Sequence, residues 1–138
     1  MSQIEVDKVI PQSGTNLQIG EAGDTINLTT ATVNLPTGVG GTAWQAIKTA
    51  NFTAVAGEGY FVNTTGGVIT ATLPAYATIG NEVSIIDYAG TADTNNITIG
   101  RNGHNIQGAA SDMTVSTERA AFTLVYVDST QGWLLKDK

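Results

Sequence analysis

Apolar residues occupy both parities of the run 121–127: Phe122, Leu124 and Tyr126 alternate with Val125 and Val127. A polar break at 128–132 follows, and then a second apolar run begins at Trp133. High β-propensity on either side of turn formers predicts a β-hairpin. The double parity predicts that its first strand is central and covered on both faces. Upstream, shorter runs predict strands at 52–56, 59–63, 68–73, 82–88, 95–99, 104–107 and 112–116, ahead of 121–127 and 132–136. Gly57, Gly66-Gly67, Pro74, Gly80-Asn81 and Asn102-Gly103 punctuate them. Asn102-Gly103 is the sharpest of these signals, because a type I′ turn needs two residues of positive φ. So many short strands predict an all-β fold, a β-sandwich or jelly-roll-like module.

The first third of the chain has a different texture. Leu17-Gln18-Ile19, Ile26-Asn27-Leu28 and Val33-Asn34-Leu35 repeat one apolar–polar–apolar unit, starting 9 and then 7 residues apart. Repeated short strands with turn residues between them predict a β-prism or solenoid-like arm, with three strands of an ordinary meander as the alternative. Each unit has only two apolar residues to bury, so three chains side by side would give it a core. Leu17, Ile19, Ile26, Leu28, Val33 and Leu35 are therefore the candidate trimer-interface residues. The Pro-Gly-rich run 36–41 predicts a linker, placing an arm at 1–41 and a module at 42–138. It lacks the lysine and hydroxyl residue of a phosphate-binding loop. Segment 43–55 reads as an extended strand through Trp44, Ala46, Ala50, Phe52 and Ala54. A short helix over 42–49, capped by Thr42, is the alternative.

Composition narrows the partners. Charged residues make up 13% of the chain, about half the ~25% of an average soluble domain. Twelve acidic against six basic residues give a net charge of −6, and the six cations are scattered. A basic footprint for nucleic acid is missing. The chain has no cysteine, which excludes disulfides and thiolate metal sites. The start MSQIEVDKVI has neither the basic nor the apolar region of a secretory signal, and no apolar run reaches the length of a membrane span. Synthesis in a cytoplasm without membrane insertion is the expectation.

Candidate chemistry is sparse. His104 is the single histidine; it reads as a loop residue, or, on a three-fold axis, as one of three converging ligands. Asp87, Asp93, Asp112 and Asp128 follow no calcium-loop spacing and read as turn and strand-end hydrogen-bond acceptors. Glycoside hydrolysis needs two facing carboxylates. Glu58, Glu82 and Asp87 are available, but no pattern pairs them. Ser111 and His104 lack a nucleophile elbow. Asn27, Asn51, Asn63 and Asn96 begin glycosylation-type triplets, expected to stay unmodified without export. Among the aromatics, Phe61, Tyr126 and Trp133 read as core. Tyr76 and Tyr88, at strand–loop junctions, read as surface contacts for a glycan, with Asn102 and His104 alongside. No catalytic residue, cofactor or metal is expected.

Four ordered segments, FTAVAGEGYFVNTTGG (52–67), VITATLP (68–74), GNEVSIIDYAGTADTNNITIGRNG (80–103) and FTLVYVDSTQGWLL (122–135), together resemble the C-terminal module of bacteriophage tail-fibre and related virion fibre proteins, particularly those of marine and cyanobacterial phages. The segment SGTNLQIGEAGDTINL (13–28) is similar to the short β-repeat shafts of such fibres. The resemblance implies a homotrimeric, non-enzymatic virion protein. It would serve as a short tail fibre, a capsid decoration protein or an adaptor, bound to other virion proteins and to a host surface glycan. The rival expectation is a carbohydrate-binding module acting alone. Deletion of residues 1–41 is expected to leave one cooperative thermal transition, measured by circular dichroism, because the linker separates the arm from the module.

Overall fold

The computed structural model describes residues 41–137. The arm, the repeats with Leu17, Ile19, Ile26, Leu28, Val33 and Leu35, and nearly all of the linker lie outside the described residues. The described chain is strand-rich, with no α-helix, and forms two mixed sheets. Its strands are β1 (Ala43–Trp44), β2 (Phe52–Thr53), β3 (Glu58–Val62), β4 (Ile69–Thr72), β5 (Glu82–Asp87), β6 (Ile97–Gly100), β7 (Met113–Val115), β8 (Ala121–Asp128) and β9 (Gly132–Leu135).

Through β6, successive strands alternate between the sheets. One sheet has the order β1-β3-β5-β8-β9, the other β2-β4-β6-β7. A strand that crosses to the other sheet and then returns arrives in its original direction. The pairs β1–β3, β3–β5, β2–β4 and β4–β6 are accordingly parallel. Only the later pairs, β5–β8, β6–β7 and β8–β9, are antiparallel. A jelly roll is antiparallel throughout, so the parallel ladders depart from that expectation.

Inward-facing residues of both sheets form one core. Tyr60, Val62, Val83, Ile85, Leu124, Tyr126 and Trp133 come from the first sheet, and Ile69, Ala71, Ile97, Ile99 and Val115 from the second. The hairpin at 121–136 forms as expected, and β8 is interior to its sheet, flanked by β5 and β9. Its two faces differ, however. Leu124 and Tyr126 are buried, whereas Thr123, Val125 and Val127 are only half-buried. The second face of β8 is thus only partly covered.

Four other expectations change. Segment 43–55 is neither one strand nor a helix; it holds two two-residue strands joined by a bend. The 104–107 strand is absent, and Ile106 makes only isolated bridges to Ala109 and Trp133. Asn102 (φ 48°) and Gly103 (φ 89°) do form the tight turn, closed by His104 N–H donating to the Arg101 carbonyl at 3.0 Å. That turn starts a long connection instead of a hairpin. Finally, Tyr60 rather than Phe61 enters the core, 2% exposed. The register of β3 sends Phe61 to the outer face, where it stacks on Trp44 at 4.9 Å.

Trp133 is fully buried and edge-on to Tyr126 at 5.4 Å. The neighbouring Gly132, at φ 70°, is pressed so closely on the chain that a Cβ would lie 1.8 Å from the Asn105 carbonyl oxygen. Trp133→Ala should lose about 3–5 kcal/mol, and Gly132→Ala more than about 1 kcal/mol. Gly66→Ala, where a Cβ meets nothing within 4 Å, should stay near wild type. Urea denaturation of the three variants checks the ranking.

Candidate functional site

Because β5 runs from one end of the sheets to the other, the loops before and after it lie at opposite ends. Tyr76 lies in the connection from β4 to β5, and Tyr88 follows β5. The four candidate glycan contacts therefore divide. Tyr76, Asn102 and His104 come together at one end, while Tyr88 sits at the other.

At the first end, Asn102 Nδ2 donates to the Leu73 carbonyl at 2.9 Å. His104 Nε2–H donates to the Ala75 carbonyl at 3.0 Å, a polarity fixed by the fact that a carbonyl only accepts. The His104 ring also meets Tyr126 edge-on at 5.1 Å. These bonds brace the loop that carries Tyr76, which is 94% exposed. Asn102 and His104 are thus positioning residues for the loop, and Tyr76 is the side chain presented to solvent. No group of three or more potential metal ligands occurs among the described residues.

At the second end, Tyr88 is half exposed, and its N–H donates to the Val62 carbonyl at 2.9 Å. Asp87 beside it is 1% exposed. Its carboxylate accepts four backbone N–H groups: Gly90 at 3.1 Å, Thr91 at 3.4 Å, Ala92 at 3.2 Å and Arg119 at 3.0 Å. Burial alone would raise this carboxyl, but the four donors together outweigh it and hold the group below the usual aspartate value. One side chain thereby ties the end of β5, the loop after it and the entry to β8. The Arg119 guanidinium completes the end by donating to the Tyr88 carbonyl at 2.8 Å.

The other candidate carboxylates are engaged. Asp112 accepts from Arg101 N–H at 2.9 Å, and Asp128 from Thr130 and Gln131 N–H at 2.8 and 2.7 Å. Turn and strand-end bonding is what they do. Glu58 and Glu82 both line a cleft of about 740 Å³, with Thr42, Val55, Ile79 and Lys136. Glu82 pairs with Lys136 at 3.0 Å. Glu58 accepts the Tyr60 hydroxyl, which itself accepts from Val55 N–H at 2.8 Å. Burial, followed by the Glu58 bond, pushes the Tyr60 hydroxyl up to about 12. Asp87 is far from this cleft along β5, so the three carboxylates do not form one site.

Every asparagine among the described residues braces backbone. Asn51 accepts from Thr70 N–H, Asn63 from Thr65 N–H and Asn81 from Thr78 N–H. Asn95, Asn96, Asn102 and Asn105 donate to carbonyls. Sequence reasoning missed this shared role, although the clustering of asparagine at loop positions was its signal. No protein-family model matches the chain, and no curated protein matches it.

The Asp87 cage generates a pH prediction. A carboxyl held low in the folded state contributes its full stability above the unfolded value of about 4 and loses it as pH falls through the folded value. The melting temperature should therefore drop below about pH 4. Asp87→Asn should lose about 1.5–3 kcal/mol at neutral pH and flatten that acid limb. Thermal melts from pH 7 to pH 2.5 on both proteins measure it.

Proposed function

We propose that this chain is a non-enzymatic structural protein of a bacteriophage particle. In this reading residues 42–138 form a two-sheet β-sandwich module, residues 1–41 form an attachment arm and short shaft, and three chains associate. Residues 1–12 dock to another virion protein of the tail or the capsid. The loops at one end of the module face outward.

The observation that carries the reading is the use to which the motif residues are put. In the Asn63-Thr64-Thr65-Gly66-Gly67 segment, Asn63 caps a single 3-10 turn at 64–66. Asp87 of the Asp-Tyr-Ala-Gly segment collects four N–H groups. Asn102-Gly103 makes a turn of positive φ, and the Trp133 hairpin packs the core. Residues that carry the resemblance to virion fibres are engaged in holding backbone, which suits a module selected for its shape. The low charge follows from the same use, since neutral asparagine satisfies loop backbone without adding repulsion between copies.

One observation favours a carbohydrate-binding function, either at the tip of such a fibre or in a module acting alone. A nearly fully exposed tyrosine on a doubly braced loop is a rigid apolar plate with a polar tip, the kind of surface on which a sugar ring stacks. Three such tips on one stalk would gain avidity by effective concentration.

Sedimentation velocity of the full chain across a dilution series tests the reading. A trimer that survives dilution supports it. A monomer at all concentrations would overturn the fibre and leave the lone carbohydrate-binding module, whose glycan binding should disappear in Tyr76→Ala.

A further inference from the structure

Among the described residues, the alternation of strands between sheets makes β1 the edge of one sheet and β2 the edge of the other. The opposite edges, β9 and β7, are antiparallel additions that close the core, and β9 brings the fully buried Trp133. The β1–β2 side is different. Both residues of β1 are exposed, and the buried core begins only at Ala54. Trp44, Ile47 and Val55 instead stand 47%, 45% and 51% exposed. Ala43 and Gln45 donate their N–H groups to Gly57 and Gly59 at 2.9 Å. By the alternation of a strand, Trp44 N–H then faces the open edge.

We propose that this first rung, residues 41–55, is the surface through which copies of the chain associate. The inference rests on the trimer reading and assigns it a surface. Open sheet edges in monomers are usually blunted by shortness, charge, proline or a bulge, and of these the rung has the two-residue length of its strands. Here the rung has no proline and a single charge, Lys48, whose ammonium lies 5.6 Å from the ring centroids of both Phe52 and Tyr60. The wider sequence points the same way. Lys48 is the only charged residue between Asp24 and Glu58 in a chain of net charge −6. Identical acidic chains repel wherever their charges face each other; along this stretch they can meet without that cost. An unlike partner would gain no electrostatic selectivity from so neutral a surface. A second copy brings its own open edge and its own exposed apolar side chains. The stretch also runs on in sequence from Val33 and Leu35, the last of the candidate trimer-interface residues.

The test uses the full chain with Ile47→Asp, Val55→Asp and the pair, alongside Thr114→Asp, an exposed position on β7 at the opposite edge. Sedimentation velocity across a dilution series should show wild type and Thr114→Asp as trimers. The double variant should dissociate at a concentration at least 100-fold higher than wild type. Near-ultraviolet circular dichroism of the buried aromatics separates dissociation from unfolding, and Ile47→Asn with Val55→Asn replaces any variant that unfolds. A double variant that stays trimeric overturns this surface and leaves the trimer reading standing. A monomeric wild type overturns both.

Discussion

Strands that pair in parallel cannot be joined by a tight hairpin, because the chain must leave the sheet and come back before it can run the same way again. From β1 to β6 every connection crosses between the two sheets. Each crossing leaves loop N–H and carbonyl groups that no ladder satisfies, and buried groups of this kind need partners. The remaining features of the module follow from that constraint. Asparagine and aspartate side chains supply the partners from within the loops. Asp87 serves three segments at once. Thr64, fully buried, meets Thr91 Oγ1 at 2.8 Å and accepts from Asn95 at its carbonyl. A chain built this way has little need of surface lysine and glutamate, which accounts for the low charge.

The late part of the chain solves a different problem. Parallel stacking has no natural end, so β7, β8 and β9 turn back antiparallel and close one side of both sheets. Closure concentrates large side chains there. Tyr126 lies between the His104 and Trp133 rings, so the loop carrying His104 is packed on the hairpin as well as hydrogen-bonded to the segment before Tyr76. The rigidity of the Tyr76 end is a by-product of closing the core. The indole Nε1 of Trp133 is buried without a hydrogen-bond partner among the described residues. The apolar contacts of the ring outweigh that local cost.

The opposite side shows what the fold looks like where closure is left undone: short strands, exposed Trp44, Ile47 and Val55, and almost no charge. The nearly neutral stretch is confined to residues 25–57, where Lys48 is the single charge.

Strand content, most strand positions, the I′-type turn at Asn102-Gly103 and the burial of Tyr126 and Trp133 were legible in the sequence. Local propensity, spacing and turn chemistry suffice for each of these. The sequence also indicated that Asp87, Asp112 and Asp128 would bind turns and strand ends, and that Tyr76 and Tyr88 would be exposed. What it left open was anything set by partners distant in the chain. Parallel pairing of β3 with β5 and of β4 with β6 brings together residues 25 to 28 positions apart, and no local pattern encodes direction. The choice of Tyr60 over Phe61 for the core depended on the register of β3 and on Glu58 and Val55 reaching the tyrosine hydroxyl. The separation of Tyr88 from Tyr76 depended on β5 lying between them. Tertiary structure decided these points because strand order and register are properties of the pairing between segments, whereas propensity belongs to each segment alone.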